Sequence, residues 1–161
     1  MNYTIRKIES KDNAAIAEII RNIFEELNAP KEGTAYADPH LDSLSDVYLS
    51  ENEAYFVVEV NGKIKGGAGI APLSNDTSGI CELQKMYFAP EIRGFGIAQE
   101  LMSNCLEFAK QAGYNKCYLE TLPYMEAAQK LYRKFDFDYI DAPLGCTGHS
   151  SCHVFMIKKL E

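Results

Sequence analysis

An α/β fold in one domain is what this sequence predicts, and three observations lead there. The chain has 161 residues, 47% of them hydrophobic and 24% charged, enough for one domain with a full core and ordinary for a soluble globular protein. Runs of β-forming residues alternate with segments of helical spacing in the order β-α-α-β-β-β-α-β-α-β-β, with no repeat, linker or low-complexity stretch between them. At the centre, Glu82 to Gly113 reads as a strand, a tight glycine turn and a long helix.

The elements follow in order. Tyr3 to Ile8 is a first strand. Ser10 is the expected N-cap of a helix from about Lys11 to Leu27, whose apolar face is Ile16, Ile19, Ile20, Ile23 and Leu27. Asn28-Ala29-Pro30 ends it, and residues 31 to 39 form a polar loop with Gly33 and Pro39. A short helix follows near His40 to Leu49, with Leu41, Leu44 and Tyr48 on one face. Ala54 to Val60 is a strand, apolar on both faces, and Asn61-Gly62 is a two-residue hairpin turn. The strand returning from Lys63 to about Leu73 carries Gly66, Gly67 and Gly69, which mark a bulge or a close backbone approach.

Asn75 to Gly79 turns into a strand from Cys81 to Phe88, which Pro90 ends because proline cannot extend a ladder. The next helix buries Ile97, Leu101, Cys105, Phe108 and Ala112, steps of 4, 4, 3 and 4, and Gly113 sits at its C-cap. Lys116 to Thr121 is a strand, Tyr124 to Phe135 a helix, and Asp138 to Ile140 begins another strand. Asp141 to Ser151 is a loop with Pro143, Gly145 and Gly148, and Cys152 to Lys159 is the last strand.

Arg93-Gly94-Phe95-Gly96-Ile97-Ala98 opens the long helix. Two glycines at a helix start let backbone approach a ligand, and the first-turn N–H groups, with the helix dipole, form an anion site. No Lys-Ser/Thr follows the second glycine, so this is not a triphosphate P-loop, and no third glycine completes a Rossmann turn. Arg93 adds charge at the mouth; a tight turn and nothing more is the plainer reading of the glycines alone.

The net charge of −7 argues against nucleic acid or an anionic membrane as partner and for cationic or neutral substrates. No apolar run approaches the roughly 20 residues of a membrane span. Met1 to Lys7 reads as a polar strand start and not a signal peptide. The five cysteines are odd in number and form no C-x-x-C, so they read as reduced cytoplasmic thiols. His149, Cys152 and His153 have a spacing that suggests zinc, but no second cluster supplies a fourth ligand, so no metal is expected.

The turn Arg93 to Ala98 resembles the Q/R-x-x-G-x-G/A signature of the GCN5-related N-acetyltransferase (GNAT) superfamily. Glu82-Leu83-Gln84-Lys85-Met86-Tyr87-Phe88-Ala89-Pro90 is similar to that family's E-L-x-x-(L/M)-Y-V-x-P strand. Ala127 to Phe137 is similar to its A-x-x-L-Y-x-K-x-G-F segment, with Asp136 where the family usually has glycine. The motifs cover roughly residues 80 to 140. The resemblance implies a mixed, mainly antiparallel sheet flanked by helices, with a central parallel pair, the strands of Glu82 and Leu119, splayed apart for the pantetheine arm of acetyl-CoA. It implies the pyrophosphate on the N–H groups of Gly94 to Ala98, flanked by Arg93 and Phe95, with Met86, Tyr87, Phe88 and Ala128 completing the cofactor contacts.

Acetyl transfer to an amine needs a base, a donor for the tetrahedral oxyanion and an acid for the leaving thiolate. The resemblance makes Glu82 the candidate base, its pKa raised by partial burial, and Tyr132 the candidate acid; a carboxylate paired with Lys85 and a packed tyrosine are the structural alternatives. Glu120 is an alternative base. Glu120 and His149 are candidate acceptor-binding residues, although a satisfied structural histidine also explains His149. The expected function is a cytoplasmic acetyl-CoA-dependent N-acetyltransferase acting by direct attack of a primary amine on a small-molecule or amino-acid-like acceptor. Its rivals are a non-catalytic acyl-CoA-binding module and a protein N-acetyltransferase. The family often dimerises through its last strands, which leaves a homodimer open.

Overall fold

In the computed structural model, which describes residues 1–161, the strands are β1 (Tyr3–Lys7), β2 (Ala54–Val60), β3 (Lys63–Pro72), β4 (Ile80–Phe88), β5 (Lys116–Thr121), β6 (Asp138–Ile140) and β7 (Val154–Lys159). The helices are α1 (Asn13–Glu26), α2 (Ile97–Gln111) and α3 (Glu126–Lys134). All seven strands form one sheet in the order β1-β2-β3-β4-β5-β7-β6. Every neighbouring pair is antiparallel except β4 and β5, so the sheet is mixed with a single parallel pair at its centre. No helix is long and apolar enough to cross a membrane.

The sheet is buried on both faces, and the alternation of β2 shows it: Val58 joins one core cluster and Val57 the other. The first cluster lies under α2 and α3 and takes Leu101, Cys105, Ala109 and Tyr132 against Cys81, Leu83, Cys117 and Leu119. The second lies under α1, where Ile16, Ile20 and Phe24 meet Leu41, Leu44, Tyr48 and Tyr55. Residues 57 and 58 face opposite layers because side chains alternate, which is why the strand shows no polar face in sequence.

Several expected details change. Ser10 does not cap α1; it starts a 3-10 turn (Ser10–Asp12), and the buried Asp12 carboxylate accepts the Glu9 N–H at 2.8 Å while Arg6 donates to it at 2.7 and 2.9 Å. Leu27 lies beyond the end of α1 and is exposed, and Phe24 takes the buried place, one turn after Ile20. Along α2 the buried face is Ile97, Leu101, Met102, Cys105, Leu106 and Ala109, rotated away from Phe108 and Ala112. The short helix near His40 is a 3-10 segment, Leu41–Asp46, kinked at Ser43, but Leu41, Leu44 and Tyr48 are buried as expected. Asn61 and Gly62 both take positive φ, 51° and 78°, the hairpin geometry that matches strand twist.

Cys81, Cys105, Cys117 and Cys152 are buried, and burial pushes the Cys152 thiol up to about 12; Cys146 alone is exposed. A thiol reagent at neutral pH therefore labels one cysteine quickly in the native protein and five after denaturation. Two or more fast thiols would contradict this packing.

Candidate active site

Two departures from regular sheet build the site. The first is the end of the parallel pairing. β4 and β5 are in register only at Ile80–Lys116, Cys81–Cys117 and Glu82–Tyr118. Beyond that last rung the strands part, and the six residues Leu83 to Phe88 have no β5 partner. The second is a bulge. Gly67 pairs with Tyr87 and Gly69 with Gln84, so Lys85 and Met86 together face Ala68. Lys85 carries a φ of 49°, a left-handed conformation that is costly for a side-chain-bearing residue. The Tyr55 hydroxyl holds it there by donating to the Lys85 carbonyl at 2.7 Å. Glycines in β3 make this contact feasible, because a Cβ at Gly67 or Gly69 would lie 2.5 or 2.7 Å from the Tyr55 ring.

The splay opens a cleft of about 510 Å³. Met86, Tyr87 and Phe88 line it from β4, and Glu120 from β5. Arg93, Gly94, Gly96, Ile97 and Ala98 line it from the turn and α2, and Ala128 and Tyr132 from α3. Phe95 is the exception: its side chain is 59% exposed and stands outside the wall. Gly94 and Gly96 have φ of 85° and 78°, and nothing lies within 4 Å of a Cβ built on either, so it is the dihedral and not crowding that requires glycine. Gly96 is the N-cap of α2 and no side chain caps the helix, which leaves the first-turn N–H groups free at the cleft wall. The Arg93 guanidinium does not stand free at the mouth: it pairs with Glu26 at 2.9 Å, and its Nε donates to the Phe88 carbonyl at 3.1 Å.

Glu82 sits on the last rung of the parallel pair and is 6% exposed. Its Oε1 accepts from Gln84 Nε2 at 2.6 Å, and Gln84 in turn accepts from the Tyr48 hydroxyl at 2.6 Å. Burial raises the Glu82 pKa, and the nearby Glu120 charge raises it further, against opposing contributions from Gln84, His149 and Lys85. Tyr132 packs on Phe137 in the first core cluster, and burial raises its hydroxyl pKa. No buried polar side-chain atom lacks a partner, and Tyr132 bonds to no protein group, so its hydroxyl opens on the cleft it lines.

Glu82, Glu120 and His149 come together in a second, small cavity of about 30 Å³, next to the cleft. The two spaces share Leu83, Lys85, Tyr87, Glu120, Thr121 and Met125. Glu120 accepts from Tyr118 at 2.5 Å and Thr147 at 2.6 Å. His149 does not join Cys152 and His153: its Nε2 lies 2.8 Å from Asp38, whose carboxylate also takes Lys85 Nζ at 2.5 Å. Ser151 ties the same two loops, its N–H donating to Gly33 O at 3.0 Å and its hydroxyl to Glu32 O at 2.8 Å. His153 is exposed and no three His, Cys, Asp or Glu side chains converge as metal ligands.

Asp38, Thr147 and Tyr118 escaped sequence reading. Asp38 and Thr147 lie in aperiodic loops, and nothing local marks them. Lys85 did leave a signal, since the Gln84-Lys85 pair interrupts the alternation of β4, as an inserted bulge residue does.

The profile of the acetyltransferase (GNAT) family matches residues 16–137. The uncharacterized N-acetyltransferase YjgM of Escherichia coli is 48% identical over 158 residues, 97% of this chain and 94% of that protein. Human N-acetyltransferase 8B is 33% identical over 134 residues, 79% of this chain and 56% of that longer protein. Among solved structures, a Staphylococcus aureus acetyltransferase of the GNAT family superposes with a TM-score of 0.88 at 21% identity, over 99% of this chain and 100% of that one. YncA of Salmonella typhimurium, solved with its cofactor acetyl-CoA, superposes at 0.79 with 19% identity, over 100% and 95%. The chain belongs to the acetyltransferase (GNAT) family and is an N-acetyltransferase.

Proposed function

We propose that the protein moves an acetyl group directly to the primary amine of a small molecule, with Glu82 as base and Tyr132 as acid. One observation carries the reading: the parallel pair parts just beyond Glu82, so a buried carboxylate of raised pKa stands in the small cavity that adjoins the cleft, and an uncapped helix N-terminus lies on the cleft wall. Acetyl-CoA fits those features: the free N–H groups of α2 suit its phosphates, and the unpaired edges of β4 and β5 suit its arm. It supplies the thioester carbon that the amine attacks.

Glu82 takes a proton from the incoming ammonium, because only the neutral amine has a lone pair to donate. The neutral amine adds to the thioester carbon to give a tetrahedral oxyanion, whose collapse breaks the C–S bond; the excess proton on the nitrogen passes through water and restores the one Tyr132 gives up, with no covalent enzyme intermediate. Backbone N–H groups of β4 beyond Glu82, freed from β5, are the donors available to the oxyanion. Tyr132 remains protonated at neutral pH and gives its proton to the departing thiolate.

Thiol release from acetyl-CoA, measured with pooled amines, tests this. Tyr132→Phe is expected to lower the amine-dependent rate about a hundredfold or more while acetyl-CoA still stabilises the fold. An unchanged rate would remove Tyr132 from the chemistry. Blanks are needed for the exposed Cys146 thiol.

Arg93 can reach a phosphate only by releasing Glu26. Glu26→Gln is therefore expected to tighten acetyl-CoA binding by roughly two- to fivefold at low salt, the range of an exposed ion pair, and the gain should fade as salt rises. An unchanged dissociation constant would show that Arg93 stays out of the anion site.

A further inference from the structure

The small cavity beside the cleft has an unusual charge pattern. Its wall carries two carboxylates, Glu82 and Glu120, one lysine, Lys85, and one histidine, His149. Both basic side chains are engaged by the same acid from outside the wall: Asp38 binds Lys85 Nζ at 2.5 Å and His149 Nε2 at 2.8 Å. On the cleft side, Arg93 is likewise matched by Glu26. The carboxylates are not matched. Glu82 has a neutral partner, Gln84, and Glu120 has two, Tyr118 and Thr147. Neither forms a salt bridge with any residue. Glu82 Oε2 receives no hydrogen bond, yet no sealed polar atom lacks a partner, so this oxygen of a side chain more than nine-tenths buried opens on the cavity.

The remainder of the wall is mostly apolar: Phe24, Ala35, Leu83, Leu122 and Met125. At about 30 Å³ this space admits the amine head group and not a whole acceptor, so it is that group, and whatever is borne on the same carbon, that meets the unmatched negative charge. It meets no cation that is free to bind a carboxylate.

We infer that the acceptor is a primary alkyl- or arylalkylamine with no carboxylate on the carbon that bears the amine, and that Glu120 holds its ammonium group while Glu82 takes the proton. The inference rests on the acetyltransferase reading of the cleft. An α-amino acid offers the same ammonium but would bring its carboxylate against Glu82 and Glu120, and like charges brought together without water are strongly unfavourable. Asp38 sets this preference indirectly, by keeping Lys85 and His149 occupied.

Two matched pairs test the inference: 2-phenylethylamine against phenylalanine, and 3-methylbutylamine against leucine. Each pair differs by the carboxylate alone. For the wild type, kcat/KM for the amine should exceed that for the amino acid by about a hundredfold, a repulsion of modest size for two buried like charges. Glu120→Gln should shrink that ratio about tenfold. Asp38→Asn should shrink it too, by freeing Lys85 for the carboxylate and so raising the rate with amino acids. Both substrates of a pair meet the same enzyme, so the ratio is insensitive to partial loss of folded protein. Amino acids used equally well or better would overturn the inference. So would a wild type that binds acetyl-CoA by calorimetry and acetylates none of the four. Failure to bind acetyl-CoA at millimolar concentration would instead remove the acetyltransferase reading beneath it.

Discussion

Glu82→Gln is expected to lower kcat by about two to four orders of magnitude, the usual worth of a positioned base, and to raise thermal stability at neutral pH. The two effects have one cause. Burial raises the Glu82 pKa in the folded protein, whereas the unfolded chain exposes an ordinary carboxyl. Between the two pKa values the folded protein binds more protons than the unfolded one, so stability falls as pH rises through that window and stays lowered above it. The glutamine amide has nearly the same shape, can still accept the Gln84 hydrogen bond, and carries no charge to desolvate. The wild-type rate should show an acid limb above the ordinary carboxylate range, because the base works only when deprotonated. The variant should lose that limb. Rate against pH and melting temperature against pH, both measured on the two proteins, decide the matter. A variant that loses activity without gaining stability would mean that Glu82 is paired more favourably than its surroundings show, and one that keeps its activity would move the base to Glu120 or to water.

Gly94→Asp is expected to weaken acetyl-CoA binding on the order of a hundredfold or more, since a carboxylate would face the phosphates where free N–H groups now do. Gly94→Ala separates charge from strain. Gly94 has a φ of 85° with open space where a Cβ would project, so alanine costs about 1–2 kcal/mol of backbone strain and little else. Calorimetry on both variants should show a small loss for alanine and a large one for aspartate. Equal losses would mean that turn geometry, and not its field, governs binding.

Much of the scaffold was legible along the chain. β2 and β5 fall on the residues expected, Ala54–Val60 and Lys116–Thr121, because their β-branched and aromatic runs end in turn chemistry that leaves little choice. The turn that opens α2 was nearly as readable: Gly94 and Gly96 both take the positive φ that favours glycine, a local backbone requirement. Asp136 shows the limit of such rules. It takes a φ of 67° just after α3, the conformation that favours glycine there, with aspartate among the side chains that tolerate it.

Helix ends and faces were less well defined by local pattern. Ser10 had the right chemistry for a cap, but Asp12 stands at the N-cap position of α1, and its carboxylate is turned to Arg6 and the Glu9 N–H and caps no N–H of the helix. The face of α2 rotated because both Met102 and Leu106 lie over the sheet, a matter of where β3 and β4 pass beneath them.

The sequence alone determined the family, the element order and the glycine turn at the start of α2, all of which depend on residues near one another in the chain. The tertiary structure alone decided that the parallel strands part after three rungs, that Glu82 and Glu120 share one cavity, and that Asp38 takes both Lys85 and His149 out of it. Those contacts join residues up to 111 positions apart, and their energy depends on distance and burial, neither of which leaves a period in the sequence.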